Sequence, residues 1–251
     1  MAPSPEQSAI NDFGLIADVY DELVSWAPYD KWVRDLEARM RDYGLQRGDL
    51  ILDAACGTGL STVPWLDLGY RVVGVDHSSE MLRLARRKIE GRDEDVTFHR
   101  QDLLDLDLDD TFDASICLHS GLDYILGDED LQKAFRSLRG TLEEGGLFAF
   151  DKCLDEPEFY RRDYSRRYSV SGGEAVFHYS WHPDKRLFEQ RCVVTRRTRG
   201  RAPVRTEMTQ YLKAVSVADL EEMLEQADFE VLEPPEQFGM SDPGLGICRA
   251  V

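Results

Sequence analysis

The stretch Ile51-Leu52-Asp53-Ala54-Ala55-Cys56-Gly57-Thr58-Gly59-Leu60-Ser61-Thr62 constrains this chain more than any other, because an apolar strand runs straight into a glycine turn at a helix start. The alternation then repeats. Strand-like runs at Leu50 to Ala55, Arg71 to Asp76, Val96 to Arg100, Phe112 to Leu118 and Gly146 to Lys152 are separated by helical periodicity starting near Thr58, Ser78 and Asp128. Ser78 or Ser79 supplies an N-cap hydroxyl ahead of Met81 and Leu82. Strands that alternate with helices pair in parallel, because each crossover carries the chain back to the same end of the sheet. Glu230 to Glu233 and Leu245 to Arg249 extend the sheet, so the expected fold is α/β: a doubly wound, mostly parallel, seven-stranded sheet. With 251 residues, one such core is the default.

The flanks read differently. Phe13 to Met40 has the pattern of one or two amphipathic helices carrying Tyr20, Tyr29 and Trp32, punctuated by Pro28. They form a cap over one end of the sheet. Arg167 to Trp181, Leu187 to Arg197 and Val204 to Leu212 read as three antiparallel strands joined by turns at 182–185 and 199–201. On the first of them Phe177, Tyr179 and Trp181 share one face, and His178 and His182 share the other at a spacing of about 13 Å, too wide for one metal ion. The expected division is a cap at 1–45, a core at 46–160 and 214–251, and an inserted antiparallel sheet at 161–213.

Charge limits the partners. Lys and Arg number 30 against 48 Asp and Glu, a net −18, so the field as a whole repels phosphate backbones and anionic membranes. Nucleic acid and membrane are not expected partners. The exception is 161–205, with 12 basic and 4 acidic residues, where an anionic substrate could be attracted or Arg-rich strand faces could simply keep an edge soluble. No apolar run approaches the roughly 20 residues of a membrane helix, and Met1 to Ile10 has no signal-peptide pattern, so the expected location is cytoplasmic. Five widely spaced cysteines without a CxxC pair suggest neither a disulfide framework nor a zinc site, and no metal is expected.

The strand ends carry the chemistry. Gly57 and Gly59 remove side chains where a ligand approaches the backbone, but Thr62 stands where a dinucleotide fingerprint has its third glycine. Asp53, just before the turn, suits a cationic ligand end better than a pyrophosphate. Asp76, 17 residues after Gly59, is placed to accept both hydroxyls of a ribose. Asp102 can accept from an exocyclic adenine amine while Leu103 offers a backbone N–H to the ring. His119 and Tyr124 follow the fourth strand at the ligand-binding edge and are the candidate catalytic residues.

Five ordered segments, ILDAACGTG (51–59), VVGVDHSSEML (72–82), QDLLDLDL (101–108), FDASICLHSGLDYI (112–125) and LEEGGLFAFD (142–151), resemble the class I S-adenosylmethionine-dependent methyltransferases. The nearest resemblance is to small-molecule enzymes, the amino-sugar N,N-dimethyltransferases and glycine N-methyltransferase-like group. The run Leu122-Asp123-Tyr124 departs from that group's Leu-Asn-Tyr at Asp123. The resemblance implies a Rossmann-like methyltransferase fold and S-adenosyl-L-methionine as cofactor. It implies that Ala55, Gly57 and Leu118 border the methionine portion, that Asp76 binds the ribose, that Asp102 and Leu103 hold adenine, and that Met81 is a further cofactor-binding residue. Tyr20 and Trp32 match a segment that closes over the cofactor. The function implied is methyl transfer to N or O of a small-molecule acceptor. A non-catalytic cofactor-binding scaffold and, more remotely, a nucleic-acid methyltransferase are the alternatives, and a homodimer is one open arrangement.

Overall fold

The computed structural model describes residues 11–92, 95–154, 163–197, 202–236 and 244–251. After a 3-10 turn at Phe13–Ile16, helices α1 (Ala17–Leu23) and α2 (Tyr29–Asp42) precede β1 (Leu50–Ala54), α3 (Thr62–Asp67), β2 (Arg71–Asp76), α4 (Ser79–Lys88), β3 (Val96–Arg100) and β4 (Phe112–Cys117). A second 3-10 turn at Gly121–Tyr124 leads into α5 (Asp128–Thr141) and β5 (Leu142–Phe150), followed by β6 (Tyr164–Val170), β7 (Gly173–His182), β8 (Leu187–Arg196) and β9 (Val204–Lys213). Then come α6 (Val217–Glu225), β10 (Phe229–Glu233) and β11 (Gly246–Ala250).

Strands β1 to β5 pair in parallel, β11 runs antiparallel between β5 and β10, and the sheet order is β10-β11-β5-β4-β1-β2-β3. The order reverses between β4 and β1, which opens a crevice at their carboxyl ends. Both faces of the sheet are covered. Ile51 faces a cluster with Val33, Leu36 and Met40 of α2, Trp65 of α3 and Leu82 of α4, whereas its neighbour Leu52 faces Phe135 of α5 and Leu220 of α6. Strands buried on both sides need apolar residues at nearly every position, which is why they read as continuous runs. Helix α2 is therefore part of the central core as well as a cap.

The expected bounds hold for β2 and β3, and the remaining differences have local causes. The helix expected near Thr58 begins at Thr62, because Ala55, Gly57 and Gly59 adopt left-handed backbone angles (φ 56°, 55° and 79°) that hold 55–61 as a turn. Ser78, rather than Ser79, caps α4 by accepting from the Met81 N–H at 3.3 Å. The inserted sheet has four strands, ordered β6-β7-β8-β9, not three. Arg167 to Trp181 is two strands folded at Ser171-Gly172, where Val170 pairs with Gly173 and Gly172 sits at φ 77°. A hairpin of two loop residues leaves the period-two pattern uninterrupted, so the single-strand reading overlooked it. The inward face of this sheet, with Val170, Ala175, Phe177 and Val194, packs on Ile16, Val19 and Leu23. Among the described residues no helix is long and apolar enough to cross a membrane.

Candidate active site

Two cavities, of about 290 Å³ and about 200 Å³, share Phe13, Tyr20, His119 and Tyr124 as a common wall. The larger lies where β1, β2 and β4 end and is lined by Ala55, Gly57, Asp76, Met81, Leu118 and the Asp102-Leu103 pair. The smaller lies against the antiparallel sheet and is lined by aromatic rings, including Tyr164, Phe177, Tyr179 and Phe188. Of the candidates, His119, Tyr124 and Tyr20 face both spaces.

Asp76 is buried, and each of its oxygens already accepts a backbone N–H, Oδ1 from Ser78 at 2.8 Å and Oδ2 from Gly57 at 2.9 Å. A carboxylate has about four acceptor positions, so two remain for a ligand diol. Asp102 is exposed at the rim, its Oδ1 accepting from the Leu104 N–H at 3.0 Å. Three candidates lie elsewhere. Asp53 does not line either cavity; it accepts the Ser61 hydroxyl at 2.8 Å and the Thr62 hydroxyl at 2.6 Å, tying the strand to the start of α3. Burial pushes its carboxyl up to about 6, against the pull of those two hydrogen bonds. Gly59 also lies outside the lining: a Cβ there would stand 3.4 Å from the Ala85 Cβ, so this glycine serves the approach of α4. Trp32 is buried behind the site, its ring 5.3 Å from Tyr29 and 6.0 Å from His119 between centroids. A strand-end acid or a turn glycine has the same sequence signature whether it meets a ligand or closes the turn.

The shared wall is built from distant segments. Burial pushes the His119 imidazole down to about 4, so it is neutral at physiological pH. Its Nδ1 lies 2.5 Å from the Tyr29 hydroxyl and 3.4 Å from that of Tyr20, and burial holds both phenols protonated. Asn11 reaches from the N-terminal segment to the Tyr124 carbonyl at 3.5 Å while its Oδ1 accepts from the Tyr211 N–H at 3.0 Å. Asp21 receives the Thr58 hydroxyl at 2.5 Å and pairs with Lys88 at 2.7 Å, which fastens α1 over the glycine turn. Tyr29, Asn11 and Asp151 were not among the sequence candidates. Asp151 ended a recognised segment, and an acid closing an apolar strand was the available signal.

Asp151 supports the wall from below. His119 and Ser120 both sit at left-handed angles, φ 66° and 68°, which non-glycine residues adopt only where surroundings hold them. Asp151 Oδ2 accepts the Ser120 N–H at 2.7 Å, while Oδ1 is buried with no hydrogen-bond partner among the described residues. Burial, with the nearby Asp123 charge adding to it, pushes the carboxyl up to about 8. Because the folded value lies above the unfolded one, the folded state keeps a proton that the unfolded state loses. Its stabilising share is thus complete below about pH 4 and declines up to about pH 8. Asp151→Asn, which imitates the protonated form, should flatten that decline. Thermal melts from about pH 5 to about pH 8.5 check this; parallel wild-type and variant curves would show that Asp151 is already ionised.

Residues 51–146 match the family described as "Methyltransferase domain". These residues are a methyltransferase domain. The chain is 36% identical over 136 residues to the putative methyltransferase YqeM of Bacillus subtilis (strain 168), covering 54% of this chain and 53% of that protein. It is 29% identical over 162 residues to the dTDP-3-amino-3,6-dideoxy-alpha-D-glucopyranose N,N-dimethyltransferase of Streptomyces fradiae, covering 63% and 59%. The chain thus spans about half the length of the curated relatives it matches first. Among solved structures, an S-adenosylmethionine-dependent methyltransferase from Clostridium acetobutylicum ATCC 824 superposes with a TM-score of 0.78 at 23% identity, over 95% of this chain and 99% of that one. Streptomyces venezuelae DesVI gives 0.78 at 23% over 94% and 98%. The likeness extends beyond the methyltransferase domain to the helices before it and the antiparallel sheet after it, and it bears on the fold alone.

Proposed function

We propose that this protein transfers a methyl group from S-adenosylmethionine to a nitrogen of a small-molecule amine. The observation that carries the reading is the single wall of Phe13, Tyr20, His119 and Tyr124 between two cavities: a donor bound on one side and an acceptor on the other would meet at those four side chains. The larger cavity fits the cofactor's parts. Asp76 has acceptor positions left for a ribose, Asp102 and Leu103 border an adenine, and Gly57 and Ala55 leave backbone accessible beside the methionine portion. Bound there, the sulfonium supplies a methyl carbon already activated for displacement.

What remains for the chain is to align and dry a neutral nucleophile, and well-oriented reactions show that alignment can contribute about 7–11 kcal/mol. A neutral imidazole held by two protonated phenols keeps a second cation away from the sulfonium and can orient the amine by hydrogen bonding, while the amine's proton leaves to solvent after transfer. The aromatic wall excludes water, and an enclosed space of this size admits a metabolite but not a duplex or a folded protein. All five cysteines are buried thiols, which fits the cytoplasm.

The test is methyl release from labelled cofactor with a library of metabolite amines, paired with calorimetric titration of S-adenosylhomocysteine. His119→Ala and Tyr124→Phe should each slow transfer at least about tenfold while cofactor affinity stays within about threefold. Cofactor binding with no transfer to any amine would leave a binding protein. Full activity in both variants would move the acceptor to other residues.

A further inference from the structure

Backbone strain in the site is concentrated at one turn, and a single buried carboxyl holds it. His119 and Ser120 are consecutive non-glycine residues in the left-handed region, a conformation that persists only where neighbours impose it. His119 lines both cavities and Ser120 the smaller. The turn has no slack where it continues into Gly121: a Cβ added there would stand 2.6 Å from the Cys117 Sγ and 2.9 Å from the Ala55 Cβ. Ala55 borders the larger cavity, so this backbone is already pressed against the donor side.

Asp151 supplies the other hold. It is 1% exposed, and its own N–H donates to the Cys117 carbonyl at 3.3 Å, which fixes it to the end of β4 two residues before His119. Its Oδ2 accepts the Ser120 N–H at 2.7 Å, and the His119 N–H adds a weaker pull on the same carboxyl. The other oxygen is left over. Oδ1 is buried with no hydrogen-bond partner among the described residues, while Lys152 gives its ammonium to Asp123 and the Lys213 carbonyl. A turn that needed only an acceptor would be served at less cost by an amide or a hydroxyl, neither of which brings a titrating acid into the core. An acid with one idle oxygen, beneath two strained residues that face the cavities, marks a place where geometry is kept at the expense of stability.

We propose that Asp151 is a positioning residue for methyl transfer, holding the His119–Ser120 turn so that the His119 imidazole meets the acceptor at a fixed distance from the donor. The proposal rests on the methyl-transfer reading for the role of His119. Asp151 lines neither cavity, so it acts through the turn and touches neither ligand. The phenols of Tyr20 and Tyr29 fasten the same residue by its Nδ1, so ring and backbone are held independently. Releasing the backbone lets the imidazole drift, and a misplacement of about 1 Å can cost about a hundredfold in rate. The competing role is support of the fold alone, with no step of the reaction depending on Asp151 through His119.

A double-mutant cycle on the full chain separates the two roles. The rate is total label passed from methyl-labelled S-adenosylmethionine to the library of metabolite amines, and binding is calorimetric titration of S-adenosylhomocysteine. Asp151→Ala should slow transfer about as much as His119→Ala, about tenfold or more, with cofactor affinity within about threefold. Asp151→Asn, which keeps one acceptor oxygen, should recover at least about threefold of that loss. In a His119→Ala background, Asp151→Ala should cost less than about threefold, because the residue it positions is gone. In nuclear magnetic resonance spectra of protein carrying isotope-labelled histidine, Asp151→Asn should move the His119 imidazole and amide signals and leave those of the other histidines in place. Equal factors in the two backgrounds, a fall in cofactor affinity that matches the fall in rate, or unmoved His119 signals would overturn the proposal and leave the methyl-transfer reading standing. Wild type that labels no amine would overturn both. Asp151→Asn carries the same comparisons if Asp151→Ala does not fold.

Discussion

Lys152→Ala should lower the unfolding free energy by about 3–5 kcal/mol, the scale of breaking a buried ion pair by removing one partner. The Lys152 side chain is fully buried and its Nζ lies 2.8 Å from Asp123 Oδ1, itself 2% exposed. The same ammonium donates to the backbone carbonyl of Lys213 at the end of β9, and Asp123 also accepts the Cys153 N–H at 2.8 Å. The pair therefore joins the end of β5, the turn that carries Tyr124 and the last residue of the antiparallel sheet. Without the lysine, the Asp123 carboxylate stays in an apolar setting with one backbone donor, and the Lys213 carbonyl loses its partner. Asp123→Leu combined with Lys152→Met should recover most of the loss, because the cost lies in the uncompensated charge. Urea unfolding at neutral pH checks both, and a loss under about 1 kcal/mol in the single variant would mean that water reaches the pair.

This pair also shows where sequence reading stops. The parallel strands were legible because burial on both faces imposes unbroken apolar runs, and the residues at their carboxyl ends, Ala55, Gly57, Asp76, Asp102 and Leu118, fall on one cavity as that topology requires. The antiparallel sheet was legible in its period of two but not in its strand count. What the sequence could not display is contact between distant segments. Tyr29 meets His119 across 90 positions, Asn11 meets Tyr211 across 200, and nothing local to Asp123 announces a lysine 29 residues later. Arg166 and Arg167 are the converse case: adjacent and chemically identical, they are parted by the pleat, and only the identity of the edge strand and its neighbours decides which of them turns inward.

Asp76→Ala should weaken cofactor binding by about 1.5 to 3 kcal/mol, roughly ten- to hundredfold, the largest effect expected of a single residue in the donor cavity. The carboxylate is 8% exposed, so any hydroxyl it receives is held in a low-dielectric setting where a charged acceptor is worth most. Alanine also strands the N–H groups of Gly57 and Ser78, which Asp76 now accepts, and so loosens the turn that shapes the same cavity. Asp76→Asn separates the two effects: one carbonyl oxygen can still accept from the turn, but the charge and half of the acceptor positions are gone. Its affinity should lie between wild type and Asp76→Ala. Burial pushes the Asp76 carboxyl up against the downward pull of those N–H groups and of His77, and a protonated carboxyl accepts a diol poorly. Wild-type affinity should therefore fall as the solution is acidified through that raised value, and Asp76→Asn, having nothing there to titrate, should lack that part of the dependence. Titration of S-adenosylhomocysteine at several pH values, with circular dichroism confirming the fold of each variant, decides it. A folded Asp76→Ala that binds as well as wild type would remove the ribose assignment, and with it the orientation of the donor that places its methyl group at the wall of His119 and Tyr124.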